Sequence, residues 1–160
     1  PEKTFQIITQ VAGRAGRGEL DGKVILQTYF PKHYVYKLAA NYDYKSFYDK
    51  EINLREVTKF PPFSVILRIL LTSDSDDQAK SLTHKMFLEM KELRVKHGKE
   101  FIFLEAMKSP VNKIKNKHRY QIICRIAQND EIIAQIYNIC DKIYNKNVLC
   151  FIELNPQNLS

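Results

Sequence analysis

The residues best suited to chemistry stand together near the start of the chain, in the run Gln10-Val11-Ala12-Gly13-Arg14-Ala15-Gly16-Arg17-Gly18. Arg14 and Arg17 are three apart, which on a helix puts both guanidinium groups on one face. Gly13 and Gly16 allow the backbone to come close to a neighbouring surface or a phosphate. A guanidinium is permanently charged and forks onto two phosphate oxygens, so such a pair suits charge developing on a γ-phosphoryl group in transfer. The bland reading of the same residues is a glycine-rich loop with two solvated arginines. A helix-like run from Phe5 to Ala12 leads into the motif and favours the positioned pair.

A second chemical feature lies a hundred residues on. Lys108 to Arg119 holds five cations and no acid. Residues 1–60 carry a net charge of +3 and residues 61–160 a net of +4, so without this segment the second part would be slightly acidic. The segment reads as a loop. Lys113, Lys115 and Lys117 alternate, and Arg119 continues the alternation, so an extended chain would present them on one face. Cations in that arrangement suit sequence-independent phosphate contact, and Tyr120 beside them could stack on an exposed base. A solvated lysine loop is the plain alternative.

Other reactive types form no pattern. Cys124, Cys140 and Cys150 are odd in number and widely spaced, with no CxxC pair. They indicate neither a disulfide framework nor a zinc site and read as core residues of a reducing compartment, the cytoplasm. His33, His84, His97 and His118 lack ligand partners at useful spacing. Tyr34, Tyr36, Tyr42, Tyr44 and Tyr48 read as packing rather than a stacking strip. Ser64, Ser73 and Ser81 lack a nucleophile-elbow context.

The elements that must position these groups follow from periodicity and turn chemistry. Asp21-Gly22 signals a turn, and Lys23 to Tyr29 reads as a β-branched strand. Pro31 opens helical patterning that breaks near Asn41-Tyr42-Asp43 and runs to about Val57. Phe60-Pro61-Pro62-Phe63 marks a boundary, since two prolines forbid helix continuation. After it come a strand at Val65–Thr72, a helix at 76–96 and a strand at Glu100–Glu105. The basic loop follows, then a strand at Arg119–Ile126, a helix at 130–145 and a strand at Val148–Leu154. Ala79, Leu82, Met86, Met90 and Leu93 share one face of the first helix, and Ile132, Ile133, Ile136, Tyr137, Cys140 and Ile143 share one face of the second. The fold class is α+β: a β-α-β-β-α-β domain at 61–160 with two helices on one face of a four-stranded sheet. Residues 1–60 read as the end of something larger.

Bulk composition agrees with a folded chain. Of 160 residues, 44% are hydrophobic and 27% charged, which excludes a disordered polyelectrolyte. The net charge of +7 favours a polyanionic partner. No apolar run approaches membrane-spanning length, and no signal-peptide pattern opens the chain. The chain starts at Pro1, which suggests a fragment.

The arginine run resembles the sixth conserved motif of superfamily-two helicases, Q-x-x-G-R-x-G-R. The Val24-Ile25-Leu26-Gln27-Thr28-Tyr29 strand, Pro31-Lys32-His33-Tyr34, Phe47-Tyr48, Glu51, Leu54-Arg55 and Phe60-Pro61-Pro62-Phe63-Ser64 follow in order. With residues 108–121 and Asn155-Pro156, they resemble the C-terminal part of the PriA (primosomal protein N′) family of replication-restart helicases, over nearly the whole chain. The resemblance implies a 3′–5′ ATP-dependent DNA helicase whose partners are forked DNA, the single-stranded-DNA-binding protein and other primosome proteins. Residues 1–60 would then be a remnant of the second RecA-like motor lobe. Arg14 and Arg17 would face the ATP γ-phosphate, Gln10 would position water or nucleotide, and Gly13 and Gly16 would line the nucleotide side.

ATP, Mg²⁺ and zinc are the cofactors the resemblance implies for a full-length member. This chain has no phosphate-cradle motif, no Asp-Glu-x-His and no zinc cysteines, so alone it is expected to be inactive. It also departs from the family at Asn116 or His118, where a second arginine is frequent, and at Asn129, where an arginine near the start of the last helix is frequent, and the family's pocket for the acidic tail of the single-stranded-DNA-binding protein draws on that region. Two other function classes stay open: a non-catalytic nucleic-acid or protein-binding module, and the tail of an RNA helicase.

Overall fold

The computed structural model describes residues 1–15 and 22–159. Gly16, Arg17 and the strand-leading turn at Asp21 therefore lie outside the described residues. The chain divides into two compact units, Pro1–Val57 and Thr58–Ser160.

The first unit is helical: α1 (Glu2–Ala15), α2 (Tyr34–Ala40) and α3 (Tyr44–Thr58, which ends at the division). The break expected at Asn41–Asp43 separates α2 from α3. Phe5, Val35, Ala39 and Phe47 form its small core, with Phe5 and Phe47 stacked at 4.4 Å between ring centroids. Tyr34 donates a hydrogen bond to Glu51, which accounts for a carboxylate only 6% exposed. Arg55 reaches back to Glu2 at 2.8 Å and ties α3 to α1.

Two expectations fail in this unit. Lys23–Tyr29 forms no strand: β structure needs a ladder partner, and no described segment pairs with it. Ile25 is 84% exposed and Tyr29 99%. Pro31 does not open α2. It sits in a turn, and His33 is the N-cap, its Nδ1 accepting from the Val35 amide at 3.3 Å. Gly22 has a steric role: a Cβ there would lie 1.6 Å from the Ala15 carbonyl oxygen.

The second unit is the expected β-α-β-β-α-β order: β1 (Val65–Ser73), α4 (Asp76–His97), β2 (Phe101–Ile114), β3 (Lys117–Ile126), α5 (Asp130–Lys142) and β4 (Leu149–Leu154). The sheet order is β2-β3-β1-β4, antiparallel throughout. This is the split βαβ, ferredoxin-like arrangement. Alternation along β1 sends Leu67, Ile69 and Leu71 to the helix layer, all at 0% exposure, opposite Cys124, Ile122 and Tyr120 of β3. Met86 and Met90 from α4 and Ile132, Ile136 and Cys140 from α5 close the core. Tyr137 does not join it. At 37% exposure it lies off the face that contains Ile132, Ile136 and Cys140.

Local chemistry explains the helix ends. Ser75 caps α4 by accepting from the Gln78 amide, and Asp76 and Asp77 sit in the first turn where the helix dipole favours acids. Gly98, at φ 53°, ends α4, and its amide donates to the Arg94 carbonyl. Asn129 caps α5, accepting from Glu131 and Ile132 and donating to Glu100 at 2.6 Å.

The lysine-rich segment is not a loop. β2 runs on to Ile114 and turns into β3 through Lys115-Asn116 alone, with φ of 49° and 63° at those residues. A two-residue turn with both central residues at positive φ is the type I′ pattern, whose twist matches the flanking strands. The ladder is broken between Lys108 and Lys113, where β2 bulges.

Candidate functional site

In α1, helical spacing places Ile7, Gln10, Val11 and Arg14 along one stripe, while Phe5 and Ile8 pack inward. Gln10 and Arg14 are exposed, and Ile7 and Val11 are 55% and 46% exposed. Gln10 and Arg14, four apart, share this open face. Arg14 also lies in the last turn of α1, where the helix dipole favours a cation. A Cβ on Gly13 would meet the Tyr42 hydroxyl at an ordinary 3.9 Å, so packing within the unit does not demand a glycine there. Toward a nucleotide, Gln10 and Arg14 can offer an amide and a guanidinium, and the chain has no phosphate cradle to complete the set.

The basic hairpin distributes its cations differently from the sequence expectation. The chain reverses at Lys115-Asn116, so a single alternation does not run through 113–119. Lys113 pairs with His118, on the helix side of the sheet with Tyr120. Lys117 and Arg119 alternate to the other side, and Lys115 occupies the turn. Lys113, Lys115 and Lys117 are exposed, and among the described residues none has a carboxylate within ion-pair distance. Arg119 is half-buried and donates to the Val111 carbonyl at 3.1 Å, bracing the bulge.

Tyr120 requires correction. It is 6% exposed, and its hydroxyl donates to Asp76 at 3.0 Å. A ring covered in this way has no free face for a base. Its role is to join β3 to the start of α4. Sequence reasoning missed the hub at that junction: Asp76 also meets His118 at 3.1 Å and Lys108 at 3.7 Å. Partial desolvation acts to raise the Asp76 carboxyl, but the Tyr120 hydrogen bond and the Lys108 and His118 charges hold it below the usual carboxylate range. The Tyr120 contact and the Asp76 charge in turn raise the Lys108 ammonium. The hub fixes the root of the hairpin to α4.

The same end of the unit carries a polar cleft of about 700 Å³ that no sequence motif announced. It lies between the β1–α4 turn, the start of β3 and the α5–β4 loop. The helix expected to reach residue 145 ends at Lys142, which frees Tyr144 into that loop. The Asn145-Lys146-Asn147 cluster, with its turn-forming residue types, was the available signal.

The cysteines are core groups. Burial pushes the Cys124 thiol up to about 12. A hydrogen bond between Cys140 and Cys150, then burial, raises Cys140, and the same contact lowers Cys150. Among the described residues, no group of three or more His, Cys, Asp or Glu converges to hold a metal. No helix among them is long and apolar enough to cross a membrane.

Residues 56–157 match the family model for the primosomal protein N C-terminal domain. The replication restart protein PriA of Bacillus subtilis (strain 168) is 35% identical over 97% of this chain and 19% of its own length. The protein of the same name from Borreliella burgdorferi is 30% identical over 91% of this chain and 20% of its own, and that from Chlamydia pneumoniae 34% identical over 79% and 16%. The chain thus spans about a fifth of the length of these relatives. Among solved structures, a de novo designed protein with a ferredoxin fold covers 59% of this chain and 87% of its own, at 14% identity and a TM-score of 0.41. Sequence similarity across both units, with the family domain spanning nearly all of the second, means that this chain belongs to the PriA family of replication restart proteins and carries its C-terminal domain.

Proposed function

We propose that this chain serves as the C-terminal portion of an ATP-dependent 3′–5′ DNA helicase acting in replication restart. In this reading the first unit ends a RecA-like motor lobe, and Gln10, Arg14 and Arg17 face the nucleotide held by another part of the motor. Gly13 and Gly16 let the motif approach it, ATP and Mg²⁺ supplying the phosphoryl chemistry there. The second unit contacts forked DNA through Lys113, Lys115, Lys117 and Arg119, and offers surface to the single-stranded-DNA-binding protein and other primosome proteins. Zinc belongs to other parts of a full-length member.

The observation that carries the reading is the open stripe of α1, where Gln10 and Arg14 stand together on a face that the helical unit does not use. An arginine held at the end of a rigid helix can stabilise transition-state charge without reorganising. The test is Arg14→Ala in the full-length motor protein. ATP turnover should fall by about a thousandfold or more, in line with arginine-finger losses, while DNA affinity stays within about twofold. Equal loss of turnover and DNA affinity would rule out the arginine role.

A second reading has its own support in the free cations of the hairpin: the β unit alone is a nucleic-acid-binding module. Salt-dependent binding of forked DNA by this chain, lost when Lys113, Lys115 and Lys117 are changed to Glu, supports it. Unchanged binding after those reversals would remove the hairpin from the interface.

A further inference from the structure

We infer that the cleft at the hairpin end of the β unit holds a single-stranded nucleic-acid segment, with backbone phosphates at Lys117 and Lys146 and one base stacked on Tyr144. The inference rests on, and deepens, the reading of the basic hairpin as a nucleic-acid contact.

Three chain segments distant in sequence build the cleft. The end of β1 and the turn into α4 supply Thr72 to Ser75, β3 supplies Lys117, and the α5–β4 loop supplies Tyr144, Lys146 and Asn147. Its volume of about 700 Å³ lies in the range of sites that take small ligands. The loop is held in place. Ser73 donates to the Asn147 carbonyl at 2.9 Å, the Asn147 amide donates to Asn145 Oδ1 at 2.8 Å, and Asn145 bridges to Val148. Val148 is itself 1% exposed and packed in the main core, so the loop is anchored at its base.

Charge and shape choose the ligand class. Two lysines face one carboxylate, Asp74, along the lining, so the cleft favours an anion. Lys113 and Lys115 at the hairpin tip extend the same cationic end, which suits a polyanion that continues past the cleft. Tyr144 separates a nucleic acid from a simple anion. It is 71% exposed and its phenol ring lies open at the rim, whereas Tyr120 nearby is buried and hydrogen-bonded. Large exposed aromatics beside cations are the stacking platforms of sequence-tolerant single-strand binding. A duplex offers no unstacked base to Tyr144, so the single strand is the fitting partner.

The test uses the whole chain, which contains no Trp. Tyr144→Trp therefore gives one emitter at the rim. Titration with a short oligothymidylate should quench its emission to saturation. Adding Lys117→Glu and Lys146→Glu should raise the half-quenching concentration at least tenfold. Inorganic phosphate at matched concentration should leave the emission unchanged. In the otherwise native chain, Tyr144→Ala should weaken oligothymidylate binding about fivefold or more, the loss of one stacked base, while Tyr144→Phe should bind as the native chain does. Far-UV circular dichroism checks that each variant folds.

Oligothymidylate that binds the Tyr144→Trp chain without quenching its indole emission, or that binds Tyr144→Ala with unchanged affinity, overturns the cleft while leaving the hairpin contact standing. Quenching by inorganic phosphate as strong as by the oligonucleotide makes this a small-anion site and also overturns it. If neither forked DNA nor the oligothymidylate binds the chain at low salt, the hairpin reading fails as well.

Discussion

The hairpin turn permits a test in which stability and binding move in opposite directions. Lys115 and Asn116 sit at φ 49° and 63°. An L-residue in this left-handed region has its Cβ pressed against the following carbonyl, at a cost of about 1–2 kcal/mol, which Asn reduces through its short polar side chain. Asn116 suits its position, and Lys115 does not. Lys115→Asn relieves the strain without enlarging the conformational freedom of the unfolded chain as Gly would. The β unit should gain about 0.5–1 kcal/mol, a rise in Tm of about 2–8 °C for a domain of about a hundred residues.

The same change removes one cation from the proposed interface. Nucleic-acid affinity should fall, and the slope of log K against log salt should shrink by about 0.7 for a single strand or about 0.9 for duplex. The assays are urea or thermal unfolding followed by circular dichroism, and anisotropy of labelled DNA across a salt series. A loss of stability would refute the type I′ turn and return the lysine segment to a loop. A gain in stability with an unchanged salt slope would refute phosphate contact at Lys115.

Two further outcomes follow from the packing. The folded-state pKa of Asp76 is depressed, so its contribution to stability is present above the unfolded value of 3.8 and is lost as pH falls through the lower folded value. Asp76→Asn should therefore lower Tm at pH 7, and the gap between variant and native chain should narrow as the pH falls below the unfolded value of 3.8; a gap independent of pH would contradict the Asp76 hub. Ile69 is 0% exposed at the centre of the sheet, opposite Ile122 and Ile152, so Ile69→Ala should destabilise the second unit by about 2–5 kcal/mol in denaturant unfolding. A loss below about 1 kcal/mol would mean that the core is not packed as described.

Much of the second unit is legible in its sequence. Val65–Thr72 is an apolar run of strand length because it forms a central strand of the sheet, and Ala79, Met86, Met90 and Leu93 recur at helical spacing because one stripe of α4 meets the sheet. Those patterns record the solvent boundary residue by residue, so composition and period suffice to read them. The Gln10–Gly18 motif is a local pattern too, but of the pair read from it, Arg14 and Arg17, only Arg14 is among the described residues, and it was the helix itself that set Gln10 beside Arg14 on one exposed stripe.

What the sequence alone left undetermined were relations between residues far apart in the chain. Lys23–Tyr29 has strand chemistry, but a strand exists only through a partner's hydrogen bonds, and no described segment supplies them. Lys108–Arg119 carried turn and loop composition, yet the ladder with β3 extends the strand almost to the reversal and leaves only Lys115-Asn116 as the turn. Tyr120 looked like a stacking group because it follows cations; the register opposite Leu71 and the hydrogen bond to Asp76 bury it instead. Tyr144 looked like the end of a helix and proves to be an exposed ring at the rim of the cleft beside Lys117 and Lys146. The sequence determined which residues could pack and which could carry charge. The sheet order β2-β3-β1-β4 decided which of them meet, because it brings the hairpin turn, the β1–α4 turn and the α5–β4 loop to one end of the same domain.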